Sequence, residues 1–88
     1  MLKITRRPRR GRILTIKLEG EILEPWVDAV REACTTGGRR PRILRLNLAA
    51  VRYADAAGTQ VLRELIRAGA EISECSGYIR ELLQAEGA

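Results

Sequence analysis

The chain has 88 residues, 45% of them hydrophobic, and a formal net charge of +5 with no histidine. At this length a folded chain buries roughly 60–65% of the surface its unfolded form exposes, so the apolar content supports one small core and argues against disorder. No apolar run approaches the ~20 residues of a membrane-spanning helix and the N-terminus is charged, which argues against membrane insertion and a secretory leader and predicts a single cytoplasmic domain over 1–88.

Leu2-Lys3-Ile4-Thr5 reads as a short first strand, ended at Arg7-Pro8 because proline lacks the ladder donor. Residues 8–11 then form a turn, so 1–11 is expected to be a basic N-terminal strand and turn. In Ile13–Leu18 the alternation of Leu14, Ile16 and Leu18 with Thr15 and Lys17 predicts a second strand, and Gly20 allows a bend or bulge before Ile22. A helix is predicted from Glu24-Pro25, proline being suited to a first helical position. Leu23, Trp26, Val27, Val30, Ala33 and Cys34 supply its apolar stripe, and Gly37-Gly38 is its stop signal. Arg42–Leu48 places Leu44, Leu46 and Leu48 on one face of a third strand. Val61, Leu62, Leu65 and Ile66 then recur at helical spacing, with Gly69 as the stop. Ala70–Cys75 reads as the last strand. Ser76 is a candidate N-cap for a third helix whose buried stripe is Tyr78, Ile79, Leu82 and Leu83. The expected core is Leu14, Ile16, Leu18, Val30, Leu44, Leu46, Leu48, Leu62, Leu65, Ile66 and Leu82, with Trp26 and Tyr78 on buried helix faces.

The positive charge is uneven. Lys3, Arg6, Arg7, Arg9, Arg10, Arg12 and Lys17 lie in residues 1–17 without a single acid, whereas the rest of the chain is slightly acidic. Such a segment is either a solvated basic strand or a polyanion contact that would neutralise phosphates and weaken with salt. It has no aromatic residue for base stacking. Cys34 and Cys75 fall on different elements, and without histidine they read as small apolar residues, neither a metal site nor a disulfide.

Catalytic chemistry finds no support in the residue types. There is no histidine, no nucleophile–base pair, no phosphate-cradling loop and no carboxylate pair with an acid–base role, so neither an enzyme nor a cofactor is expected. Asp55 stands alone among small residues, where a carboxylate typically caps a helix.

The segment Val51-Arg52-Tyr53-Ala54-Asp55-Ala56-Ala57-Gly58-Thr59 joins the third strand to the second helix. Apolar strand, acidic turn and helix in this order resemble the sulfate-transporter and anti-sigma-factor-antagonist domain, known as STAS, from about Arg12 to Leu83. The resemblance implies an α/β fold in the order β-β-α-β-α-β-α, a four-stranded mixed sheet with about three helices mostly on one side. Asp55 matches the family's turn aspartate and Gly58 its glycine. The serine phosphorylated in regulatory members falls on Ala57, and the other common hydroxyl position on Ala56, so the phosphorylation position is lost. Thr59 keeps a hydroxyl, but two residues out of register.

The resemblance also implies a protein-docking surface on the turn and helix: Asp55, Ala56, Ala57, Gly58, Thr59, Gln60, Arg63, Glu64 and Arg67, with Ala57 expected on the outward side. Tyr53 either packs under the turn or lines that surface. The implied role is a non-catalytic protein–protein interaction module like an anti-sigma-factor antagonist, its partner an anti-sigma factor or kinase-like protein. Two alternatives remain open, a subunit docking on the ATPase of an ABC-type transporter and a nucleic-acid-associated protein using its basic arm.

Overall fold

The computed structural model of the chain describes residues 1–35 and 39–87. In chain order the elements are β1 (Leu2–Arg9), β2 (Ile13–Ile22), a single 3-10 turn (Glu24–Trp26) leading into α1 (Val27–Ala33), β3 (Ile43–Ala54), α2 (Ala56–Arg67), β4 (Glu71–Cys75) and α3 (Gly77–Gly87). The strands form one mixed sheet in the order β1-β2-β3-β4. β1 and β2 are an antiparallel hairpin, whereas β2–β3 and β3–β4 are parallel. The expected fold class and element order are therefore found.

One set of side chains from β2 and β3 turns to one face, where α1, α2 and α3 cover it. Leu14, Ile16, Leu18 and Ile22 of β2 meet Leu46, Leu48, Val51 and Ala54 of β3, with Val27, Val30 and Cys34 from α1, Val61 and Leu62 from α2, and Ile79 from α3. Leu44, Leu65 and Leu82 are half-buried against this cluster. Ile66, expected in the core, is half-buried and lies outside it. The opposite face is polar, with Arg45 paired to Glu71 at 3.3 Å and Asn47 donating to Glu74 at 3.0 Å.

Several expectations are corrected. β1 runs through Pro8, which pairs with Leu14. It can do so because β1 is an edge strand, where a missing ladder donor costs little. The turn is displaced to Gly11 and Arg12, both with positive φ (76° and 60°). β3 extends well past Leu48, and its buried positions change spacing from two to three residues (Leu46, Leu48, Val51, Ala54). Register shifts against β2 account for this: Lys17 and Glu19 face Asn47 and Ala50, and Gly20 and Glu21 face Val51 and Tyr53, so β3 carries an extra residue at each. Each bulge reverses the side-chain alternation. The Asn47 side chain accepts the Ala49 amide at 3.1 Å beside the first bulge.

Trp26 is half-buried outside the core, and Tyr78 is 36% exposed. Tyr78 stays at the surface because its phenol binds Ala54, accepting from the amide (3.4 Å) and donating to the carbonyl (3.2 Å). Ser76 caps α3 as expected, accepting from the Ile79 amide at 3.2 Å while donating to the Val51 carbonyl at 2.8 Å. The predicted stop at Gly37-Gly38 lies outside the described residues.

Candidate functional site

β3 delivers the acidic turn to the point where two helices begin. Asp55 has an extended backbone and is the N-cap of α2, its Oδ1 accepting the Gly58 amide at 2.7 Å. Its other oxygen, Oδ2, accepts the Glu24 amide at 2.9 Å, at the start of the 3-10 turn that leads into α1. One carboxylate thus satisfies unpaired amides at two helix starts and ties them together. The Asp55 amide donates in turn to the Ile22 carbonyl at 3.2 Å, anchoring the turn to the end of β2. The Gly58 amide, then those of Glu24 and, more weakly, Ala57, hold the Asp55 carboxyl below its ordinary 3.8 against a smaller opposing effect of desolvation.

Glycine at 58 follows from this crossing. A Cβ there would overlap the Ile22 carbonyl oxygen, a backbone atom that has no rotamer with which to retreat. The first turn of α2 therefore rests directly on the end of β2.

The nine residues expected on a docking surface divide in three. Ala56, Thr59, Gln60, Arg63, Glu64 and Arg67 line a shallow cleft of about 370 Å³ along the outer side of α2. Asp55 and Gly58 build the turn beneath it. Ala57 is corrected: it is half-buried and packs against the core, and the exposed alanine at the helix start is Ala56. At 100° per residue Ala56, Gln60, Arg63 and Arg67 stack at i, i+4, i+7 and i+11, whereas Ala57 shares a side with Val61. Thr59 is 7% exposed, which leaves its hydroxyl little access to solvent.

Glu64 is engaged within the fold. Arg31 of α1 grips it with two parallel hydrogen bonds, Nε to Oε2 and Nη2 to Oε1, both 3.1 Å, and reaches Asp28 at 3.0 Å with its remaining nitrogen. Glu64 first, then Asp28, raise the Arg31 pKa further above its ordinary range. Sequence reasoning missed this clasp, since nothing local links positions 31 and 64. It also missed the Glu24 amide and the Tyr78 phenol. Tyr53 is 46% exposed, its ring centroid 6.0 Å from that of Tyr78, so it flanks the turn at the surface.

Both cysteines are free thiols. Burial pushes the Cys34 thiol up to about 11, with Arg6 offsetting part of the effect, so it is protonated and poorly nucleophilic at neutral pH. Among the described residues no group of three or more His, Cys, Asp or Glu could hold a metal ion, and no helix is long and apolar enough to cross a membrane.

No family model and no curated protein sequence matches the chain. Solved structures do match in backbone. An anti-sigma factor antagonist from Mycobacterium paratuberculosis superposes with a TM-score of 0.77 at 17% identity, over 99% of this chain and 79% of that one. An antisigma-factor antagonist STAS domain from Rhodobacter sphaeroides gives 0.61 at 18% identity over 88% and 87%. A sulfate transporter family protein from Wolinella succinogenes gives 0.66 at 17% identity over 92% and 70%. At these identities the likeness establishes the fold, which is that of a STAS domain.

Proposed function

We propose that this chain is a non-catalytic regulatory module that binds another protein through the β3–α2 turn and the outer side of α2, as an anti-sigma-factor antagonist does, with a turn that cannot be switched off by serine phosphorylation. The observation that carries this reading is the Asp55 carboxylate held on the amides of both Gly58 and Glu24. It fixes the start of α2 so that the small, exposed Ala56 opens a cleft rimmed by Gln60, Arg63 and Arg67. A small residue at a helix start lets a partner's backbone approach closely. Exposed Arg67 offers a planar donor fork to acidic groups. The partner that fits is a cytoplasmic, kinase-like anti-sigma factor. With Ala57 in place of the family's serine, the complex is constitutive.

The test is a partner recovered by pull-down from the native organism, its Kd compared between the parent and two variants. Ala56→Asp places a charge at the centre of the contact, and a helix N-terminus tolerates it. Arg67→Glu reverses an exposed cation at the rim. Each is expected to weaken binding at least ~10-fold, about 1.4 kcal/mol, with an unchanged melting temperature. Addition of ATP is expected to leave the parent complex intact. Parent-like binding by both folded variants would remove this surface as the docking site.

A further inference from the structure

At the end of the sheet opposite Asp55, chain segments far apart in sequence bring arginines together. The tip of the β1–β2 hairpin supplies Arg9, Arg10 and Arg12, and the approach to β3 supplies Arg39, Arg40 and Arg42. They meet because β2 and β3 start side by side: Ile13 pairs with Ile43, and the Arg12 carbonyl accepts the amides of Arg42 (2.8 Å) and Ile43 (3.4 Å). Arg9, Arg12, Arg39 and Arg40 line a cleft of about 290 Å³ walled by Pro8 and Pro41, and among the described residues no acidic side chain lines it. All six arginines are exposed. Among the described residues none of them forms an ion pair or a side-chain hydrogen bond.

Six guanidinium groups left without counter-charge repel one another, a cost the fold has no internal need to bear. A ligand carrying regularly spaced anions would relieve it. We propose that this arginine pole binds the phosphodiester backbone of a nucleic acid, without sequence preference and independently of the docking surface on α2. Guanidinium rather than ammonium at every one of these six positions suits phosphate, whose oxygens accept its paired donors bidentately. A cleft between two prolines suits a sugar–phosphate strand better than it suits a flat membrane. The large exposed apolar side chains are Met1, Tyr53 and Tyr78, so this pole has none to insert into lipid. It has no aromatic ring for base stacking either, hence the absence of sequence readout.

The experiment measures fluorescence anisotropy of a labelled 20-base-pair DNA duplex of arbitrary sequence against the full chain, between about 50 and 200 mM salt. Contacts to four to six phosphates are expected to lower affinity on the order of 10²–10³-fold across that range. The double variant Arg39→Ala/Arg40→Ala is expected to weaken binding and to shallow the slope of log K against log salt by about 2. A charge-matched control, Arg52→Ala/Arg80→Ala, changes two exposed arginines at the other end of the sheet and is expected to keep the parent slope. Equal losses in the two double variants would reduce the effect to net charge and overturn the proposal. So would undetectable binding at 50 mM salt, a strong sequence preference, or tighter binding to phosphatidylserine vesicles than to the duplex.

Discussion

At the C-terminal end of β3, Asp55 and Tyr78 are tied to backbone amides and carbonyls and Gly58 leaves no room for a side chain, whereas at the N-terminal end exposed arginines stand around a cleft with no acid among its described lining residues. Twelve residues of strand, each rising about 3.3 Å, separate the two ends. Hydrogen bonds and close packing act over about 3–4 Å, so the first end presents a fixed shape. Unpaired charge acts over a Debye length and is screened by salt, so the second suits a repetitive, loosely specified anion. One small sheet thus has a closely hydrogen-bonded end and a charged end.

β3 is the shared support of both ends, and damage to it is the largest effect expected. Leu46 is fully buried at its centre, and Leu46→Ala is expected to cost about 2–5 kcal/mol through the cavity it leaves. Denaturant unfolding checks this, and a loss below about half a kcal/mol would place Leu46 outside a packed core. Gly58→Ala separates the ends. Alanine favours a helix over glycine by about 1 kcal/mol, but the overlap with the Ile22 carbonyl is with rigid backbone. A net loss of about 1–3 kcal/mol is expected. A gain in stability would mean that α2 does not rest on β2.

Acid titration sharpens the contrast further. Because the folded state depresses the Asp55 pKa, the carboxylate contributes stability above its ordinary value near 3.8, and that stability is lost as pH falls through the lower folded value. Asp55→Asn keeps a capping oxygen and removes the charge. Its melting temperature is expected to lie below the parent's at neutral pH and to converge on it as pH falls toward about 2. A constant gap would show that the charge is not what the two helix starts bind. The smallest effect belongs to the other end. Arg39→Ala/Arg40→Ala is expected to change stability by no more than about 0.5 kcal/mol, since neither arginine holds anything in place. A clear loss in the same denaturation assay would show a structural role.

Much of this was legible in the residues. Leu14, Ile16 and Leu18 alternate without interruption and gave β2. Ser76 before an apolar stripe gave the third helix start, and Asp55 three residues before Gly58 gave the cap. The misreadings share a cause, which is that a local pattern is only as good as its phase. Two bulges in β3 reversed its alternation and extended the strand over residues that read as a turn. The charged stripe nearby points Ala57 outward, yet it shares a side with Val61. Pro8 reads as a breaker until its strand is known to be an edge.

By itself the sequence determined the order of elements, the face of β2, the capping aspartate and the absence of a hydroxyl at positions 56 and 57, because each depends on neighbours within one or two turns of chain. Only the tertiary structure decided that Asp55 also receives the Glu24 amide, that Arg31 closes on Glu64 and that Arg9 and Arg12 meet Arg39 and Arg40. The parallel pairing of β2 with β3 brings these partners together across 27 or more positions of sequence. No short-range preference of the chain encodes a contact at that separation; it exists only once the sheet has set the register.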